Sequence, residues 1–103
     1  MTARTLHLPA SRADVFTFLS QGAGLSLKVR SATAAQGRLI LRTEAGFLSW
    51  GEEITATLLG AEGGGTNVVL DGKPVFGPNI TADVDEALRR LADALTRRFP
   101  RPA

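Results

Sequence analysis

The sequence has no cysteine and a single histidine. Without thiols, disulfide frameworks, thiolate zinc sites, iron–sulfur clusters and cysteine nucleophiles are excluded. One imidazole excludes metal sites built from several histidines. No apolar run approaches the ~20 residues that a membrane-spanning helix needs, so no membrane span is expected. The stretch Met1-Thr2-Ala3-Arg4-Thr5-Leu6-His7-Leu8-Pro9 lacks the roughly 7–15-residue apolar region of a secretory signal. A cytoplasmic location is the expectation. The triplet Gly63-Gly64-Gly65 stands between two strand-like runs and lacks the lysine and following helix of a phosphate-binding loop, so it reads as a flexible turn. No Gly-x-Ser-x-Gly nucleophile signature occurs either. No metal, cofactor or enzymatic activity is expected.

What is present suffices for one folded domain over residues 1–103. At 44% apolar residues, a chain of this size can bury about two thirds of its unfolded surface without covalent staples. The formal charge of +2 and the isoelectric point near 9.9 look basic. The high value, however, reflects arginine, which supplies most of the basic residues.

Residues 5–8 alternate as a short strand. Ser11 and Asp14 form a weak capping box before Val15, Phe16, Phe18 and Leu19, so a helix is predicted from Ser11 to about Gln21. Gly22-Ala23-Gly24 ends it with a left-handed cap. Alternation then predicts a strand with Leu25, Leu27 and Val29 inward, and another over residues 38–43 with Leu39 and Leu41 inward. A third covers residues 52–59 with Ile54, Ala56 and Leu58 inward. The last covers residues 67–71 with Val68 and Leu70 inward. Pro74 and Pro78 argue against a central strand beyond that point. Val84, Leu88, Leu91 and Leu95 recur at spacings of 4, 3 and 4, the stripe of a helix running to Arg98. The acid-first pairs Asp85–Arg89, Glu86–Arg90 and Asp93–Arg97 at i,i+4 should each add about 0.2–0.5 kcal/mol. Residues 99–103 read as a flexible tail because of their prolines.

The order β-α-β-β-β-β-α predicts an α+β two-layer sandwich, an antiparallel sheet of about five strands with two helices on one face. The segment Leu48-Ser49-Trp50-Gly51-Glu52-Glu53-Ile54-Thr55-Ala56-Thr57 resembles a motif of small, poorly characterised bacterial α+β domains with a Ser-Trp-Gly-Glu lead-in to a central strand. The layout also resembles a shortened helix-grip fold, as in START-like and pollen-allergen-like lipid-binding domains. That resemblance implies a sheet folded against a C-terminal helix, and it brings no catalytic residues.

Two surfaces are candidates. In an antiparallel meander, the starts of the strands at Leu25 and Glu52 and the ends of those at Thr43 and Asp71 share one edge. That edge gathers Leu25, Phe47, Trp50, Val75 and Phe76. These residues either plug the end of the core or form a partner or ligand site, and their exposure discriminates the two. Lys28, Arg30, Arg38 and Arg42 alternate outward and form a candidate anion surface. No outward strand position is aromatic, which disfavours nucleic acid. His7 points outward. Glu52 and Glu53, being adjacent on a strand, face opposite sides and cannot act as an acid/base pair. Glu52 is expected in a structural hydrogen bond. The expected function is thus a small non-enzymatic binding or interaction domain, with an unidentified protein or a homodimer as partner. The alternative is a carrier of a small apolar ligand between sheet and C-terminal helix.

Overall fold

The computed structural model describes residues 2–43, 51–75 and 84–101. Strands β1 (Thr2–Leu8), β2 (Leu27–Thr33), β3 (Arg38–Thr43), β4 (Glu52–Gly60) and β5 (Thr66–Pro74) alternate with helices α1 (Arg12–Ser20) and α2 (Val84–Arg98) in the order β1-α1-β2-β3-β4-β5-α2. All neighbours in the sheet are antiparallel, and the spatial order is β1-β5-β4-β3-β2. The chain therefore crosses from one edge of the sheet to the other through α1, then returns as a four-strand meander. Helix α1 packs on β4, and α2 on β5, β1 and β4. The expected α+β sandwich is the one observed. None of the described helices is long and apolar enough to cross a membrane.

The register stacks the inward residues in rows across the sheet. Val29, Leu41, Ile54 and Gly72 form one row, and Ala32, Leu39, Ala56, Leu70 and Arg4 the next. Leu58, Val68 and Leu6 form a third. Leu39, Leu41, Ile54, Ala56, Leu58, Val68 and Leu70 are fully buried there beneath Val15 and Leu19 of α1 and Leu88, Leu91 and Leu95 of α2. At about 1.5–3 kcal/mol for each large side chain removed from water, this layer is the main driving force for the fold.

Glycine sets how close the helix lies. A Cβ at Gly72 would stand 2.5 Å from Val84 Cγ1 and 3.3 Å from Leu88 Cδ2. The first turn of α2 therefore rests directly on the β5 backbone. At the other helix, Ser11 accepts from the Asp14 N–H at 3.1 Å, the expected cap. The end of α1 is a Schellman turn: the Ala23 N–H donates to Phe18 O at 3.1 Å and the Gly22 N–H to Leu19 O at 3.0 Å. Gly22 takes φ 86° and Ala23 φ 56°. Ala23 tolerates this backbone because its methyl is buried in the core.

Strand limits differ from those read from alternation. Strand β5 runs on to Pro74, although β5 is central. Its pairing with β1 stops at Gly72, so Pro74 pairs with Glu52 alone. A proline without an N–H is tolerated where only one neighbour remains. Val29 keeps its inward parity but is 37% exposed, because β2 is an edge strand. Strand β2 begins at Leu27, and Leu25 lies in the turn before it. In α2, Arg89 bridges Glu86 at 2.6 Å and Asp93 at 3.1 Å. This set replaces the three expected pairs, since one guanidinium fork reaches carboxylates on both sides. Phe99, where the tail was expected to begin, packs edge-to-face on Phe18 with ring centroids 5.7 Å apart.

Gly72→Val should cost about 1–3 kcal/mol through overpacking, read as a lower urea midpoint. Gly60→Ala, with nothing within 4 Å of the added carbon, should stay within about 0.5 kcal/mol.

Candidate functional site

The register brings four strand ends to one side of the sheet. Leu27 pairs with Thr43, and Glu52 with Pro74. A hydroxyl helps join β3 to β4 there. Thr43 Oγ1 donates to the Glu52 carboxylate and accepts from the Glu52 N–H, the latter at 2.8 Å. Val75 N–H then donates to Gly51 O at 3.1 Å, so the chain leaving β5 runs beside the chain entering β4. The expected structural hydrogen bond of Glu52 is observed, with Thr43 as its unforeseen partner.

Of the five residues expected at this edge, Leu25 is half-buried against the core and Val75 is half-buried. Phe47, Trp50 and Phe76 lie outside the described residues, as do Leu48 and Ser49 of the motif. Beside Leu25 lies a half-open groove of about 370 Å³ between this sheet end and α2. Leu25, Leu27 and Ala87 supply its apolar surface, while Thr43, Glu52 and Arg90 are among its polar groups. A volume above about 300 Å³ is within the range of small-molecule sites.

The outer face carries a row of charges: Lys73, Glu53, Arg42 and Lys28 stand in register across four strands. Glu53 lies 3.1 Å from Arg42 and 3.5 Å from Lys73, so it neutralises part of the row. Lys28 is left beside Arg42 as a like charge. Arg38 stands four residues along β3 from Arg42, roughly 13 Å away, opposite Thr33 and Thr57. Arg30 falls in the register shift between Val29 and Ser31 and has no cross-strand partner there. The four basic residues thus do not converge on one point. Arg42 Nε is buried with no hydrogen-bond partner among the described residues.

His7 is exposed, and its Nδ1 lies 2.9 Å from Oδ1 of its cross-strand neighbour Asn67, a distance at which it donates as an N–H. An amide, not a carboxylate, therefore orients the imidazole. Glu52 and Glu53 face opposite sides of β4, as their adjacency requires. The sequence reading missed Ala87 and Arg90 as groove residues. Their periodicity only assigns them to the flank of the leucine stripe, and which strand they meet is a tertiary fact.

No protein-family model and no curated protein matches the chain. Among solved structures, it is similar to a solution NMR structure of a Thermobifida fusca protein determined as a structural-genomics target. The likeness has a TM-score of 0.56 at 12% identity and covers 91% of this chain and 83% of that one. At that identity the likeness shows the fold alone.

Glu53→Ala should lower stability by about 1–2 kcal/mol, because it strips the half-buried Arg42 of its carboxylate. Lys73→Ala, at an exposed partner, should cost about 0–1 kcal/mol. Paired urea unfolding curves measure the difference.

Proposed function

We propose that the chain is a small non-enzymatic binding domain whose site is the groove between α2 and the shared end of β2, β3, β4 and β5. The observation that carries this reading is the groove itself: about 370 Å³, apolar at Leu25, Leu27 and Ala87 and polar at Thr43, Glu52 and Arg90. Such a lining suits a small ligand with an apolar body and a polar end. The groove is open, so the ligand would lie partly in water rather than in a sealed cavity. The reading of no catalysis rests on the three residues best suited to acid–base work. His7, Glu52 and Glu53 are each held by Asn67, Thr43 and Arg42 respectively, and they lie in separate places. The cytoplasmic location expected from the sequence belongs to this proposal.

A homodimer is the second reading. It is favoured by the outer sheet face, on which Leu59 is 52% exposed and which carries no helix among the described residues.

Native mass spectrometry of the protein from its source should show a co-purifying small molecule. Titration with anilinonaphthalene sulfonate should show saturable fluorescence that Ala87→Phe, filling the groove, reduces about tenfold or more in affinity. Unchanged binding by a folded Ala87→Phe variant would remove the groove as the site. Sedimentation of a strict monomer at high concentration would remove the dimer.

A further inference from the structure

The sheet has two edges, and they are not alike. Edge strand β2 carries Lys28 and Arg30 and a register shift between Val29 and Ser31. Charges and bulges on an edge are the usual means of preventing another strand from adding there. Edge strand β1 lacks the register shift and carries less charge. Its seven residues pair with β5 without any shift, its one formal charge is Arg4, and alternate N–H and C=O groups face away from the sheet.

Along that edge lies a second groove, of about 510 Å³. Thr5, Leu6, His7 and Leu8, four consecutive residues, form one wall. Successive side chains of a strand point to opposite faces, so four in a row can line one groove only from the side of the strand backbone. The other wall is the end of α2 and the residues after it, including Phe99 and Arg101. This wall is anchored: Phe99 sits edge-to-face on Phe18, its N–H bonds Leu95 O at 3.0 Å, and the Arg98 guanidinium lies 4.9 Å from its ring centre. An edge strand with a wall beside it is the setting in which an extended chain adds to a sheet.

Among the described residues, Arg101 is the one formally charged residue of the groove's lining; Arg4 stands on the same strand just outside it, and neither arginine makes an ion pair. Arg4 is an exposed residue on the helix side of the sheet, at the end of the row formed by Leu39, Ala56 and Leu70. We propose that β1 and the end of α2 form a docking groove for an extended acidic segment of a partner protein, added as a sixth strand beside β1. Backbone hydrogen bonds to β1 would hold it, and its carboxylates would meet Arg4 and Arg101. A second copy of this chain is the weaker occupant, because pairing β1 with itself brings two copies of Arg4 and Arg101 along one seam without a carboxylate between them.

The test uses the full chain and a fluorescein-labelled peptide of alternating Glu and Val, read by fluorescence anisotropy. Saturable binding that weakens with salt is expected. The folded double variant Arg4→Glu/Arg101→Glu should lose about tenfold or more in affinity, whereas Lys28→Glu/Arg30→Glu should leave it unchanged. The same peptide methylated on its backbone nitrogens should not bind, since it cannot join the ladder. Equal binding of the methylated peptide would show charge attraction alone and overturn strand addition. No saturable binding, or equal loss in both double variants, would overturn the site. Self-association that Arg4→Glu/Arg101→Glu alters and the acidic peptide does not compete would assign the edge to a second copy and overturn the acidic partner.

Discussion

The close approach of α2 to β5 is the constraint on which the rest of this structure depends. Gly72 leaves no room for even a methyl group beneath Val84 and Leu88. With the first turn of α2 pressed onto the sheet there, Leu88, Leu91 and Leu95 fall over the buried rows of β4 and β5. The stripe would bury less area if the helix were held further off, and apolar area removed from water is what stabilises a chain of this size. The same contact decides what is left uncovered. Because α2 lies over β5, β1 and β4, the edge at β2 keeps an exposed Val29, and the groove beside Leu25 and Leu27 opens between them.

Polar side chains finish what the core begins, and they do so at the joints between elements. Thr66, fully buried, donates to Ala10 O at 2.8 Å and ties the start of β5 to the connection between β1 and α1. Arg12 reaches from the first turn of α1 to Leu58 O at 3.1 Å, over Gly37, where any Cβ would collide with its guanidinium. Thr43 and Glu52 close the β3–β4 end in the same manner. Each bond satisfies a backbone group that would otherwise lose its partner, a loss of about 1–3 kcal/mol when buried.

The two grooves lie at different parts of the sheet and would recognise different things. The one by Leu25 has mixed polarity and a volume suited to a small molecule. The one along β1 is bounded by Thr5 to Leu8 and by Phe99 and Arg101 after α2. Both edges of the sheet carry cations, Lys28 and Arg30 on β2 and Arg4 on β1, while Arg42 and Arg89 are matched by Glu53, Glu86 and Asp93.

The sequence by itself determined the elements, their order and their buried faces. Alternation at Leu39, Leu41, Ile54, Ala56, Leu58, Val68 and Leu70, and the stripe at Leu88, Leu91 and Leu95, all lie in the core, because periodicity of 2 or 3.6 is a local consequence of backbone geometry. It also determined that the neighbours Glu52 and Glu53 face apart. Only the tertiary structure decided that β1 pairs with β5, which makes β1 and β2 the edges, and that the chain continues as strand through Pro74 where β1 has ended. The tertiary structure alone showed that Phe99 is seated on Phe18 and that Ala87 and Arg90 line a groove. These facts join residues far apart in the chain or depend on how one layer sits on another. No spacing along the sequence encodes them, because they follow from the shared packing of all the layers at once.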